Sequence, residues 1–140
     1  ATDRLASFGA YVRFDSDIPV RLKELAILCA AREANNAFVW TAHEKMARDQ
    51  NVSESVINAI RNETAPIGLS GKDATVVRFA KELLIHKEIS DDTFSAVHRL
   101  FGDKGTVDLT LLILYYTTLA LALQAFLVDL PEGIVSTLTE

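Results

Sequence analysis

The chain has 140 residues, of which 49% are hydrophobic and 24% charged, a balance that is typical of a folded globular domain and not of a disordered chain. Its formal net charge is −5 and no segment concentrates Lys or Arg, so we expect no nucleic-acid partner. The single cysteine, Cys29, cannot form an internal disulfide, and no signal-peptide pattern opens the sequence, so we expect a cytoplasmic protein.

Apolar spacing and cap residues predict four helices in the first half of the sequence, over residues 5–13, 19–34 and 37–49 and from Ser53 onward. Asp17 is expected to cap the second helix, because Pro19 then falls in its first turn. Asn35 and Asn36 tolerate the left-handed backbone that ends helices, and they separate the second helix from the third.

The second half of the sequence predicts three more helices after a loop at 64–69, with N-caps at Ser70, Ser90 and Thr106. Gly102 and Gly105 are expected to end the second of these helices, and Pro131 the third. No segment shows the period-two alternation of a strand. We therefore expect one all-α domain over residues 1–140, with about six to seven helices and little or no sheet.

Residues 109–128, LTLLILYYTTLALALQAFLV, carry no charge and are long enough to cross a membrane. Threonines and a glutamine interrupt this segment, Asp108 and Asp129 flank it, and no Lys or Arg follows to anchor an orientation. A helix that is apolar all round also suits the centre of a bundle or an interface between subunits. We expect that role, and no membrane contact.

Two polar residues lie on otherwise apolar helix faces. Glu24 shares its face with Ile27 and Leu28, so its charge must be paired or disfavoured. It is either half of a structural ion pair, for which Arg21 one turn earlier is a candidate, or a partly desolvated acid or base. His43 is either a satisfied core residue or a group that exchanges protons near neutral pH.

The remaining candidates for chemistry are weaker. His43 and Glu44 are adjacent and diverge by about 100° on a helix, so they do not form a metal site together. His86 and His98 stand alone, and we expect them to be exposed or at helix ends. We predict no metal and no cofactor, and we expect Cys29 to be a buried structural thiol.

The stretch KELAILCAAREANNAFVWTAHEKMARDQNVSESVINAI resembles the carboxymuconolactone decarboxylase and alkyl hydroperoxidase D superfamily. The resemblance consists of a helix with an internal Glu, a short break, a helix with an aromatic-x-x-His motif, and the segment from Asn51 to Ile57. Glu24 and His43 stand 19 residues apart, as in the family. The later helices are also similar, so the likeness covers most of the chain.

This resemblance implies an AhpD-like helical bundle that assembles into homotrimers or homohexamers. It also implies that Glu24 and His43 are catalytic and that Trp40, Phe38 and Tyr116 bind substrate. In the hydroperoxidase branch a CxxC pair precedes the histidine, but Asn36 and Val39 occupy those positions here. Because a thiolate is the required nucleophile, disulfide-cycling peroxidase chemistry is not expected, and the chain resembles the cysteine-free branch.

Three functions remain open from the sequence. The first is a cofactor-free acid/base enzyme, such as a lyase of aromatic-compound degradation, that acts on a small organic acid or lactone. The second is a non-enzymatic binding or assembly domain in which Glu24 and His43 form only a buried pair. The third is a residual peroxidase-like, antioxidant activity in which Cys29 reacts with peroxide.

Overall fold

The computed structural model describes residues 1–64, 69 and 71–139. Its helices are α1 (Thr2–Ala10), α2 (Val20–Glu33), α3 (Ala37–Asp49), α4 (Glu54–Arg61), α5 (Gly71–Lys81) and α6 (Asp91–Ala125). Two π-helical turns, Tyr11–Asp15 and Glu82–His86, extend α1 and α5. No strand occurs in this part of the chain, and the all-α prediction is confirmed. The predicted cap Ser70 and most of the predicted loop 64–69 lie outside the described residues.

Helix α2 runs through the centre of the molecule. Every residue from 22 to 31 is buried, including the charged Lys23 and Glu24, and the helix contacts α3, α4, α5 and α6. The large side chains packed around it include Trp40, Ile57, Phe79 and Ile113. Because residues 22–31 are buried, the charged Lys23 and Glu24 must find partners inside the protein.

Asn36 fixes the start of α3. Its Oδ1 accepts a hydrogen bond from the Val39 N–H at 2.9 Å, and its Nδ2 donates to the Ala120 carbonyl at 3.0 Å. The side chain therefore caps α3 and ties it to α6. Asn35, with φ of 50°, does adopt the left-handed backbone that follows α2, but Asn36 was wrongly predicted to share it.

The predicted cap of α2 is also wrong. Helix α2 begins at Val20 with Pro19 as its N-cap, and the Asp17 side chain is 93% exposed. Proline has no side-chain oxygen, so the first N–H groups of α2 receive no side-chain cap. The Asp17 carboxylate instead lies 3.5 Å from the Lys104 ammonium, a solvent-exposed pair.

Helix α6 consists of two parts that meet at Gly102, as predicted. The φ of 66° and ψ of −171° at Gly102 are accessible to glycine but strained for other residues. Gly105 is helical and does not end a helix, and the Thr106 hydroxyl donates to the Gly102 carbonyl instead of capping. The second part stops at Ala125, before Pro131, so the predicted end was also wrong.

The second part of α6 has a buried and an exposed apolar face. Leu109, Leu112, Ile113, Tyr116 and Ala120 point into the core. Val107, Leu114 and Leu121 recur every seven residues on the opposite face and are exposed. By length and composition α6 could cross a membrane, a test that the core helix of a globular protein also passes.

Glu82 joins the start of the second π-helical turn to the start of α6. Its carboxylate accepts hydrogen bonds from the Ser90 N–H at 2.9 Å, the Thr93 hydroxyl at 2.8 Å and the Arg78 Nε at 3.1 Å. Burial opposes ionisation of Glu82, but these donors outweigh it and lower the pKa of the carboxyl from 4.5 to about 2.

Replacing Glu82 should reduce the acid sensitivity of the fold. In the wild type, the stabilisation from ionised Glu82 is complete above about pH 4.5 and is lost as the pH falls towards 2. We expect Glu82→Gln to lower the free energy of unfolding by about 1 kcal/mol at pH 7, because solvent screens part of the interaction, and by less at pH 3. Urea unfolding at both pH values measures the difference.

Glu88→Gln is the matched control, because Glu88 is exposed and has no hydrogen bond among the described residues. It should leave the pH dependence of unfolding unchanged. An equal loss of stability at pH 3 and pH 7 in Glu82→Gln would show that the carboxylate is not the source of the effect.

Candidate active site

A buried hydrogen bond joins α2 and α3 at the centre of the molecule. The His43 Nδ1 and the Glu24 Oε2 are 2.7 Å apart, and both side chains are about 95% buried. Glu24 projects from the all-buried helix α2, where burial would otherwise disfavour its charge. The imidazole supplies the partner that this carboxyl group needs.

This pairing determines which ring nitrogen is free for chemistry. An ionised carboxylate only accepts hydrogen bonds, so the hydrogen lies on Nδ1. The other ring nitrogen, Nε2, has no hydrogen-bond partner among the described residues. His43 can therefore accept a proton at Nε2 while the Glu24 carboxylate stabilises the imidazolium that forms.

His43 faces a cavity of about 440 Å³ between α1, α3 and α6, a volume that suits a small organic molecule. Its walls are mainly apolar. Besides His43, they comprise Ala6, Gly9, Ala10, Arg13, Phe14, Phe38, Val39, Ala42, Met46, Tyr115, Tyr116, Leu119 and Leu123. Among the described residues, Arg13 is the only one on this wall with a permanent charge.

The π-helical turn Tyr11–Asp15 places Arg13 at the cavity. The buried Lys23 ammonium donates to the carbonyl of Arg13 at 2.7 Å and to that of Ser16 at 3.0 Å. At the start of the turn, the Tyr11 hydroxyl donates to the buried Asp108 carboxylate at 3.0 Å. These contacts stabilise a π-helical turn, a conformation that is rare in proteins and often occurs at functional sites.

Arg13 has no carboxylate partner among the described residues. Its Nη2 donates to the Met46 thioether sulfur at 3.1 Å, a weak acceptor, and its guanidinium lies 4.9 Å from the Phe14 ring centre. A second cavity, of about 240 Å³, shares these three residues and is bordered by Glu24 and Asp49. Those two carboxylates are already bonded, to His43 and to Lys45 respectively.

Tyr116 also contributes a polar group to the cavity wall. Its ring stands edge-on to the His43 ring, with 4.9 Å between centres, and its hydroxyl has no partner among the described residues. Burial raises the pKa of Tyr116 to about 12, although the nearby Arg13 charge lowers it in part. The phenol therefore remains a hydrogen-bond donor throughout the physiological pH range.

The five residues predicted for the site do not all line the same cavity. Phe38, His43 and Tyr116 line the main cavity, while Glu24 borders the second cavity and reaches the first through His43. Trp40 lines neither. It is fully buried, and its Nε1 donates to the Thr137 hydroxyl at 3.0 Å.

Arg21, the candidate partner of Glu24 from the sequence, does not pair with it. Arg21 points away from the core and pairs with Asp73 at 2.5 Å, and its Nη1 donates to the Asn51 carbonyl at 2.6 Å. Since Arg21 is engaged elsewhere, the described structure leaves His43 as the hydrogen-bond partner of Glu24. Glu44, adjacent to His43, points about 100° away from it around α3 and binds Arg48 and Arg61.

Sequence reasoning missed Arg13, although a signal for it exists. Ala6, Gly9, Ala10 and Arg13 have helical spacing, so they form a stripe of small side chains that ends in a cation. Small residues leave room for a cavity, and a Cβ at Gly9 would overlap the Tyr115 hydroxyl. This stripe forms one wall of the site.

Cys29 lies on the far side of α2 from this cavity. It is 2% exposed at the wall of a separate pocket, and burial raises the pKa of its thiol to about 12. His98, which is exposed, pairs with Asp103 at 2.7 Å, and His86 ends a π-helical turn. The described residues contain no group of three or more His, Cys, Asp or Glu side chains suited to a metal ion.

The comparisons with known proteins are few. The sequence profile of the carboxymuconolactone decarboxylase family matches residues 1–82. A crystal structure of a protein of unknown function from Agrobacterium tumefaciens, described as a candidate antioxidant defence protein AhpD, is similar with a TM-score of 0.78. It shares 22% identity over 93% of this chain and 90% of the other, which shows the fold alone. Among curated proteins, no sequence matches this chain.

The burial of Cys29 predicts slow modification of its thiol in the folded protein. With a pKa near 12, the reactive thiolate is roughly a thousandfold scarcer than for a thiol with an ordinary pKa. We expect an aromatic disulfide reagent to label the native protein at pH 8 far more slowly than the protein in denaturant. The absorbance of the aromatic thiolate that the reagent releases measures both rates.

Because Cys29 is the single cysteine of the chain, the whole signal belongs to it. Cys29→Ser in denaturant provides the blank. Equal labelling rates in the native and denatured protein would contradict the buried, unreactive thiol and would strengthen a peroxide-reactive role for Cys29.

Proposed function

The chain belongs to the carboxymuconolactone decarboxylase family, and from this premise we propose that it is a cofactor-free acid/base enzyme that acts on a small organic acid or lactone. The observation that carries the proposal is the buried 2.7 Å pair of His43 and Glu24 beside a cavity of about 440 Å³. A buried acid–base pair beside a mostly apolar cavity is the arrangement that general acid–base catalysis requires.

In the proposed reaction His43 moves a proton to or from a carbon next to a carbonyl group. When Nε2 removes the proton, the C–H bond breaks and its electron pair forms an enolate on the substrate. The Glu24 carboxylate stabilises the resulting imidazolium. Return of the proton to the same or another carbon regenerates neutral His43.

Decarboxylation, the reaction in the family's name, uses the same groups in a shorter sequence. The bond between the substrate and its carboxylate breaks, carbon dioxide leaves, and the electron pair remains on the carbon. His43 enters this reaction as the imidazolium, after taking a proton from solvent at Nε2, and donates that proton to the carbon in place of the carboxylate, which returns the ring to its neutral form. The mainly apolar wall favours this step, because a poorly solvated carboxylate is less stable than one in water.

We test the proposal with two reactions that report proton transfer to carbon. The first is release of carbon dioxide from carboxymuconolactone, and the second is deuterium uptake next to the carbonyl of a butyrolactone carboxylate in deuterated water. We expect His43→Ala to lower the rate by about 10²- to 10⁴-fold. Glu24→Gln should also lower it, because an amide can donate to Nδ1 and stabilise the wrong tautomer.

His98→Ala is the matched control, since it removes an exposed imidazole from outside the cavity. Circular dichroism establishes that each variant is folded at the assay temperature, because loss of one partner of a buried pair is destabilising. Full activity in His43→Ala and Glu24→Gln would end the proposed roles. A wild-type protein without either activity would favour the alternative, a non-enzymatic assembly domain.

We further propose that the protein assembles with copies of itself through the exposed face of α6. The exposed Val107, Leu114 and Leu121 form a stripe with heptad spacing, the pattern of helices that pack together. Phe126 and Leu127, directly after α6, are more than 80% exposed. Such an apolar surface is costly in water unless a partner covers it.

Light scattering with size-exclusion chromatography tests this assembly. We expect a mass that is a multiple of the 15.4 kDa chain, with a trimer or hexamer as the specific expectation. Leu114→Glu should shift the protein towards the monomer, because it places a charge in the interface. The control Ile85→Glu, at an apolar residue 47% exposed outside α6, should not. A wild-type monomer would contradict the proposal.

A further inference from the structure

The cavity beside His43 contains a cation that the acid/base proposal does not use. Arg13 borders the cavity, and among the described residues its side chain has no better acceptor than the Met46 thioether. A guanidinium offers five N–H donors in a rigid fork that matches a carboxylate. The guanidinium of this partly buried arginine therefore has no carboxylate partner among the described residues, although its geometry suits one.

The backbone around Arg13 is held before any ligand binds. Lys23 is 3% exposed, and its ammonium fixes the carbonyls of Arg13 and Ser16. The Arg13 guanidinium stacks over Phe14 at 4.9 Å, so the side chain also has a defined direction. An anchored, pre-organised cation loses less entropy when it binds an anion than a mobile surface residue does.

We propose that Arg13 is the anchor for the carboxylate of the substrate, and that the site selects compounds with one carboxylate and an apolar body. The inference rests on the proposed function, since it takes the same cavity as the site. Tyr116 completes the anchor, because this largely buried residue lines the same cavity and its hydroxyl has no hydrogen-bond partner among the described residues. The apolar remainder of the wall receives the rest of the molecule.

The preference for a single negative charge follows from the charges on the wall. Arg13 is the one permanently charged residue that the described structure places there, and while His43 is neutral the described wall offers no second cation for a second carboxylate. Burying an unpaired carboxylate among apolar side chains costs several kcal/mol. A dianion should therefore bind more weakly than a monoanion of similar shape.

The anchored carboxylate is also retained during the reaction. Pairing with a guanidinium stabilises the ionised carboxylate, which raises the barrier to its loss as carbon dioxide. His43 therefore acts on a different carbon of the substrate from the one that bears the anchored group, so a substrate with a single carboxylate undergoes the proton transfer next to a carbonyl group and not the decarboxylation. This division gives Arg13 the role of a specificity residue that positions the substrate against His43.

Equilibrium binding of three related probes tests the inference without turnover. The probes are benzoate, a monoanion, benzamide, its neutral isostere, and terephthalate, a dianion, and ligand-observed NMR titration gives each Kd. We expect the wild type to bind benzoate about tenfold or more tightly than benzamide, because the amide forms no charge-assisted pair with Arg13. It should also prefer benzoate to terephthalate.

Arg13→Gln should abolish the preference for benzoate over benzamide, and Arg13→Lys should retain part of it because the positive charge remains. Tyr116→Phe should weaken benzoate binding by a smaller factor. Arg4→Gln is the matched control, since Arg4 is an exposed arginine of the same helix outside the cavity wall. It should leave all three Kd values unchanged.

Three results would overturn the inference: an undiminished benzoate preference in Arg13→Gln, no benzoate preference in the wild type, or tighter binding of terephthalate. His43→Ala separates this inference from the proposed function. It should lose turnover and keep the benzoate preference. A wild type that prefers benzoate but catalyses neither test reaction supports the Arg13 anchor and counts against the acid/base enzyme. A wild type that catalyses a test reaction without preferring benzoate supports the acid/base enzyme and counts against the anchor.

Discussion

The constraint on which the site depends is the burial of Glu24 in the central helix. A carboxylate on a helix that is buried on every side must be satisfied within the protein. His43 satisfies it from the neighbouring helix, and the interaction fixes both the separation of α2 and α3 and the orientation of the imidazole. The same contact that stabilises the core thus leaves one ring nitrogen available at the cavity.

Local signals in the sequence were sufficient for the helical architecture. The third helix has the predicted bounds, and Asn35, Ser90 and Gly102 play the predicted parts because each acts through its own backbone or its nearest neighbours. Asp17 and Thr106 resemble caps equally well but do not cap. Helix α2 begins only at Val20, and α6 continues through Thr106. Tertiary packing therefore decides which of the possible cap residues begins a helix.

Burial was harder to predict than helix position. The most apolar segment, at 109–128, was expected to be the centre of the bundle or an interface between subunits, and it has both a buried and an exposed face, while the more polar α2 is buried at every residue from 22 to 31. Hydropathy alone does not show that Lys23 finds backbone carbonyls of a π-helical turn or that Glu24 finds His43. For the same reason Trp40 was assigned to the cavity, although its indole N–H is bonded to the distant Thr137.

The most direct test of this account is the protonation state of the His43 ring, measured by NMR on protein with nitrogen-labelled histidine. The account predicts that neutral His43 carries its hydrogen on Nδ1, with the bonded proton shifted by the Glu24 carboxylate, and that Nε2 is unprotonated. A neutral ring with its hydrogen on Nε2, or one that exchanges freely between both forms, would contradict it. The imidazole would then not present a proton acceptor to the cavity.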